Sequence, residues 1–536
     1  MQLTAALHRR LAWANVPATL LIALLQRTPL LRVAAVAEES VIASPISGVL
    51  RSAVAAAAAL GALHSMAGAT TVVASTPSPL AATVGKAITS VAFGINGGQL
   101  TASSWQVQSS LPPGLSFQGL TGPGFVNTAN PILSGTPTAS GSYQVVLEAW
   151  EDPNETGPEA PLFVYAVNIA ASPVSFTLAP GAQSVATGRT VVFNALAAGT
   201  PAPGYQWTLN GSAAIPGATV TNDPILVITG ASAADVGTIT CTAANTAGSA
   251  SSSATLAVAA AANPGYLTNL SGRGLVGSGA ANALYGGFGI SGTGTKKLLI
   301  RGMGPSIGPG LYFYIADALQ STQLTLYNSL QAVLAQNSPW GGTPALMAAD
   351  ALTGAYPPIA TTSLDSMLYL PVATGSASAA VAGVGGATGD AVIELYDADS
   401  PPLSAKLTNV AVRAPVGTGG DILFGGFAIG GTTNETVLIR GIGPRLGLAP
   451  FNLSPVLAQP VLTLYLGATP TGYTNTGWGG DAALANAMAT VGAYSLSPSS
   501  QDSLLLVTLP PGTYSAEVSG LNGTTGIAAV EVYEVY

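Results

Sequence analysis

Residues 298–308 read LLIRGMGPSIG and residues 437–447 read VLIRGIGPRLG. A short apolar run followed by spaced glycines raises the question of a phosphate-cradling turn. Dinucleotide binding uses G-x-G-x-x-G between a strand and a helix, with an acid about 20 positions on for the ribose. Here the glycines stand at 302, 304 and 308 and again at 441, 443 and 447, one residue out of step. Asp317 follows the first set, but after Glu435 no acid appears until Asp481, and no lysine follows either set as a P-loop requires. The stretch therefore reads as a strand ending in a tight turn, with glycine supplying positive φ and proline stopping the pairing.

The repetition carries more than the glycines do. YGGFGISG (285–292) recurs as FGGFAIGG (424–431), LTLY (324–327) recurs at 462–465, and WGG (340–342) recurs at 478–480. GDAVIELYD (389–397) answers GIAAVEVYE (526–534). This is a tandem duplication with a unit of roughly 135 residues, too long for a solenoid repeat. Each copy, 264–400 and 405–536, is expected to be a complete β-sandwich, jelly-roll-like, with strand runs at both ends. ALMAADAL (345–352) and DAALANAMA (481–489) read as short surface helices.

The whole chain has 536 residues, of which 48% are hydrophobic and only 7% charged. Its apolar runs are short and punctuated by Gly, Pro, Asn and Ser, the pattern of an all-β protein of several domains. A net charge of −8 without clusters of Lys or Arg excludes a nucleic-acid partner.

Two modules precede the duplication. In 71–171, LPPGLSF (111–117) and LSGTPTASGSYQVVLEAWED (133–152) mark turns and an alternating strand through Tyr143, Val145, Leu147 and Ala149. These phrases resemble the Ig- and cadherin-like modules of bacterial surface proteins. The acids near DPNET (152–156) read as a solvated hairpin loop rather than a calcium site. In 172–260, VVFNALAAGTPAPGYQWTLNG (191–211) is followed by DVGTITCTAANTAGS (235–249). This module resembles an I-set-like immunoglobulin domain. The resemblance implies that Trp207 packs in the core from strand C, with Cys241 in strand F. Ala195 stands where the disulfide partner would be and Ile239 where the corner tyrosine would be. Both departures bear on stability and leave the fold reading intact. The duplicated pair, in turn, resembles a domain found at the C-terminus of large exported Ig-like bacterial proteins, a resemblance that implies no activity.

Residues 1–69 read differently. His8, Arg9 and Arg10 precede an apolar run (11–25), and Arg51 precedes SAVAAAAALGALHSM and Ala67-Gly68-Ala69. The small-x-small ending implies an export leader cleaved after Ala69, with an uncleaved anchor as the alternative. A mature chain begun there is expected to have no membrane span and to lie outside the cell or on its surface. Both histidines, His8 and His64, would leave with the leader.

Those expectations bear on chemistry. Without histidine, Ser-His-Asp and Cys-His mechanisms and His-based zinc sites fall away, and Cys241 alone builds no thiolate site. A paired-carboxylate glycoside hydrolase survives only formally, since no acid cluster carries a catalytic motif. No cofactor and no metal is expected. Arg301 and Arg440 each end an apolar strand and need a carboxylate. The repeat-matched acids are Asp365 with Asp502 and Glu394 with Glu531. Trp340 and Trp478 are the candidate ligand-binding pair, able to stack on a sugar if exposed and core residues if not. The sequence thus reads as tandem β-sandwiches of an exported structural or adhesive protein, with other surface proteins or a polysaccharide as partners. Carbohydrate binding through the duplicated pair is the alternative.

Overall fold

A computed structural model of the chain describes residues 70–536, apart from 99, 219, 280–281, 310–313 and 400–403. The leader reading of residues 1–69 lies outside the described residues. The protein is all-β with several sheets, divided into one unit within 70–168, to which 81–86 and 137–141 do not belong, and a larger one that takes those two segments and 169–536.

The first unit has two sheets. One runs Thr71–Ala74, Val91–Asn96, Ile132–Gly135, Leu115–Phe117, and the other sets Ser104–Val107 between Gly124–Val126 and Gly141–Asp152. Alternation along the last strand buries Val145, Leu147 and Ala149, with buried Trp105 directly across from Ala149 on the neighbouring strand. Phe93 meets Tyr165 edge-on at 5.1 Å, a geometry that aligns ring edge with ring face. DPNET is a hairpin turn, with Asp152 paired to Thr156 and left-handed backbone at Asn154 and Glu155.

The larger unit begins with the I-set-like module. Val191–Asn194 pairs with Ile225–Ile228, and opposite them Gly204–Leu209, Gly237–Asn245, Gly248–Ala259 and Gln183–Ala186 form a second sheet. Period-two alternation turns Val191, Phe193 and Ala195 into one core with Trp207, Ile239 and Cys241. Trp207 and Cys241 are cross-strand neighbours, and the indole N–H of Trp207 donates to Asp223 O at 2.7 Å. Val192, between two inward residues, faces out of this module.

Among the described residues the duplicated region has fourteen strands and two α-helices. Copy 1 comprises β1 (Tyr266–Val276), β2 (Leu284–Met303), β3 (Thr322–Asn328), β4 (Val333–Asn337), α1 (Pro344–Thr353), β5 (Ser366–Gly383) and β6 (Gly389–Asp397). Copy 2 comprises β7 (Ala405–Val416), β8 (Leu423–Gly430), β9 (Glu435–Ile442), β10 (Pro460–Leu466), β11 (Thr469–Thr476), α2 (Ala482–Thr490), β12 (Ser503–Leu509), β13 (Gly512–Gly520) and β14 (Gly526–Glu534). The long β2 and β5 of copy 1 are each split in copy 2, into β8 with β9 and β12 with β13. Thr343 and Asp481 cap the N-termini of α1 and α2 from equivalent positions.

The copies do not close separately, which corrects the expectation that each is complete in itself. β1 pairs on one edge with β6 of its own copy and on the other with β8 of copy 2. β7 pairs reciprocally with β14 of its own copy and with the first half of β2 in copy 1. Leu267 and Leu407, which open matching LTN triplets, sit opposite each other, so a local two-fold passes between them. Two Arg–aromatic contacts repeat the symmetry: Arg273 lies 4.2 Å from the Phe424 ring centre and Arg413 lies 4.3 Å from that of Tyr285. One core follows from this exchange, joining Leu267, Phe288, Ile300 and Leu324 to their counterparts Leu407, Phe427, Ile439 and Leu462.

Candidate functional site

The glycine turns come first, because they are where an anion would sit. Each is filled from within the chain. Asp365 Oδ1 accepts from the backbone N–H of Gly304 at 2.8 Å and of Ser306 at 3.3 Å, and its Oδ2 accepts from the hydroxyls of Ser306 and Ser363. In copy 2, Asp502 Oδ1 accepts from Gly443 N–H at 2.7 Å and Arg445 N–H at 3.4 Å, and Oδ2 from Ser500 at 2.5 Å. The backbone carbonyls of these aspartates accept the N–H of Trp340 at 2.8 Å and of Trp478 at 2.9 Å. The glycine turn, the tryptophan-glycine-glycine triplet and the aspartate therefore form one knot, repeated in both copies. A buried carboxylate satisfies the amides that a phosphate would otherwise bind.

The glycines serve this knot by their size. Gly304 and Gly443 both have φ −127°, which corrects the expectation of positive φ. A Cβ at Gly304 would lie 2.2 Å from Leu319 O, and one at Gly443 would lie 2.1 Å from the equivalent Leu457 O. Left-handed backbone occurs instead at the glycines after each tryptophan, Gly341 and Gly342, Gly479 and Gly480.

Arg301 and Arg440 are buried, and of the matched acids they meet the glutamates. Arg301 Nη2 lies 2.7 Å from Glu394 Oε2, and its Nη1 lies 2.9 Å from Asp350 Oδ1 and 2.7 Å from Tyr356 O. Tyr396 donates to Glu394 at 3.0 Å. Burial pushes the Asp350 carboxyl up, although Arg301 opposes the shift. Arg440 has a thinner shell: Nη1 lies 3.4 Å from Glu531 Oε2, and Tyr533 donates to Glu531 at 3.3 Å. Asp350 was missed by matching the repeats, because its counterpart in copy 2 is Met488. Trp340 and Trp478 are 3% and 5% exposed, and the Trp478 indole donates to Ser497 O at 2.9 Å. Rings so buried present no face for a sugar to stack on. Cys241 is buried, and desolvation pushes its thiol up to about 12, the environment of an inert structural cysteine.

The seam between the I-set-like module and copy 2 is the richest arrangement of side chains. The outward Val192 N–H donates to Thr508 Oγ1 at 2.7 Å, Asn194 Nδ2 donates to Leu506 O at 3.1 Å, and Thr436 Oγ1 donates to Thr190 O at 2.6 Å. Asn434 bridges back through its N–H to Ser184 O at 2.8 Å and its Nδ2 to Gln183 Oε1 at 2.7 Å. Val192 joins an apolar cluster with Leu438, Leu484, Met488, Leu504 and Leu506, against which Ile225 and Val227 pack. A cleft of about 210 Å³ opens along the seam between Ile225, Val227 and helix α2. At its edge lies a charged group: buried Glu435 and Glu534, with half-buried Arg189 from the module and Lys406 from β7, and exposed Tyr536.

Residues 174–258 match the immunoglobulin I-set domain family. No curated protein matches the chain. Among solved structures, titin domain M7 is 29% identical, covering 17% of this chain and 96% of its own, with a TM-score of 0.16. The Ig1-2 module of the Drosophila receptor protein tyrosine phosphatase DLAR is 21% identical, covering 35% and 98%, with a TM-score of 0.16. The insect immune protein hemolin is 21% identical, covering 35% of this chain and 46% of its own, with a TM-score of 0.24. No helix among the described residues is long and apolar enough to cross a membrane.

Proposed function

We propose that the chain is a non-catalytic structural or adhesive protein of the cell exterior, in which an I-set module is mounted on a composite duplicated domain. The observation that carries this reading is the seam. Its hydrogen bonds from Val192, Asn194, Asn434 and Thr436 and its apolar cluster join module and domain as tightly as two layers of one domain. Such a mounting fixes the direction in which the module's loops point, which suits display rather than turnover. The ionisable side chains support the same reading, because Arg301, Glu394, Asp350, Asp365 and Asp502 are committed to partners within the chain.

Secretion and surface exposure rest on the leader read in residues 1–69, and adhesion on the I-set match. The reading is tested by fractionating the source cells, sequencing the mature N-terminus, and coating beads with purified chain. It predicts protease-accessible protein on intact cells, a mature end at Thr70, and clustering of coated beads or their capture on the cell surface. Retention inside the cell with an intact leader would contradict it.

A further inference from the structure

The two copies differ at one buried position in a way that involves the I-set module. In copy 1, Lys296 sits at the start of the arginine strand with Asp397 at 2.5 Å and Asp399 at 3.5 Å, a set contained within the copy. In copy 2 the equivalents of Lys296 and Asp397 are Glu435 and Glu534, two carboxylates. Both are buried, 2% and 3% exposed. Like charges brought together out of water destabilise each other unless cations or protons intervene.

One answering cation comes from the module and one from copy 2 itself. Arg189, on the I-set module, places Nη1 3.5 Å from Glu435 Oε1 and donates from Nη2 to Gly265 O at 3.3 Å. Lys406, on β7, places Nζ 3.6 Å from Glu534 Oε2. Tyr536 lies between them, its ring centre 4.7 Å from the Arg189 guanidinium and 3.9 Å from Lys406 Nζ, and its hydroxyl donates to Glu534. Glu534 also accepts from Leu267 N–H at 2.5 Å. Neither oxygen of Glu435 has a well-formed hydrogen bond, and neither does Arg189 Nη1. An ionised carboxylate in that state is poorly held, whereas a protonated one loses much less by being dry.

We propose that copy 2 has become a proton-governed receiving face for the I-set module: Arg189 brings the cation that copy 1 carries internally as Lys296, and docking tightens when the Glu435–Glu534 pair holds a proton. Burial, and the repulsion of Glu534 on Glu435, push both carboxyls well above the ordinary carboxylate range, against the pull of Arg189 and Lys406. Burial also pulls Lys406 down, so that cation is itself weakened at alkaline pH. Lifting the module away would return water to Glu435 and relieve the burial that raises it, while the repulsion from Glu534 stays. A carboxyl raised in the docked state binds its proton more tightly when docked. Docking is therefore strongest at acid pH, where the pair holds its proton, and weakens progressively as pH rises and that proton is lost, with a slope of at most about tenfold per pH unit for one proton.

The test is amide hydrogen exchange on the full chain, corrected for the intrinsic pH dependence of exchange. Val192 and Asn434 are the reporters, because their N–H groups donate across the seam to Thr508 and Ser184. Amides of Gly237–Asn245, in the module's own core sheet, are the reference. Between about pH 6 and about pH 9 the reporters should lose about tenfold or more in protection while the reference holds. Glu435→Gln should flatten that profile, and Arg189→Met should lower reporter protection most at alkaline pH. Reporter protection that is flat in the unmodified chain, or that falls only together with the reference, would overturn the proposal, as would a Glu435→Gln profile as steep as the original. The unmodified chain decides the matter even if a variant fails to fold.

Discussion

Asp502 holds two backbone N–H groups and a serine hydroxyl in a place where water does not reach. Removing it strands those donors, so Asp502→Ala should lower unfolding stability by about 3 kcal/mol, read from denaturant melts. The arginines should separate by the size of their shells. Arg301→Met leaves Glu394 and Asp350 buried without a cation and should cost about 4 kcal/mol. Arg440→Met strands Glu531 alone, which keeps some solvent contact, and should cost about half as much, about 2 kcal/mol. At Cys241 the raised thiol and its burial predict no alkylation of the folded protein at about pH 8, with labelling appearing only as the module unfolds. Sequence comparison of the copies narrowed the arginine partners to two matched pairs of acids, yet could not choose between them. The choice depends on register: Arg301 lies directly opposite Glu394 and Arg440 directly opposite Glu531, whereas the aspartates reach the turn that follows. Asp350 left no trace because its counterpart is a methionine.

Among the elements, the turn glycines make the sharpest prediction. Gly304→Ala and Gly443→Ala would drive a methyl group into a backbone carbonyl that cannot swing aside, and each should cost about 3 kcal/mol. Gly308→Ala meets its nearest atom at 3.2 Å and Gly447→Ala at 3.4 Å, so each should cost less than about 1 kcal/mol in the same melts. The turns themselves were legible in the sequence, as were the strands around them, since period-two alternation and Gly/Pro punctuation are local. So were the two helices, at Pro344–Thr353 and Ala482–Thr490. The reason for the glycines was not legible. Close approach between Gly304 and Leu319 joins residues that no local pattern links, while positive φ is the commoner demand on glycine.

At the scale of the whole molecule, the duplication was plain to read and its consequence was not. A strand that pairs with its own copy on one edge and the other copy on the second has the same alternation as one that stays at home, so β1 and β7 give no sign of the exchange. The seam was equally silent, because Val192 and Thr508 are 316 positions apart. What the sequence did carry was the match of Leu267–Asn269 to Leu407–Asn409, the triplets that meet at the local two-fold. Four exchanged or shared pairings, β1 with β8, β7 with β2, Arg273 with Phe424 and Arg413 with Tyr285, bind the halves into one core. The direct test inserts one specific protease site between residues 400 and 403 and a second between residues 260 and 264, so that the module no longer tethers copy 1 to copy 2, cuts the folded full-length protein at both, and runs the product on size exclusion without denaturant. Reciprocal exchange predicts that the two halves elute together at the position of the uncut chain and part only in denaturant. Halves that separate under native conditions, each still folded, would contradict it.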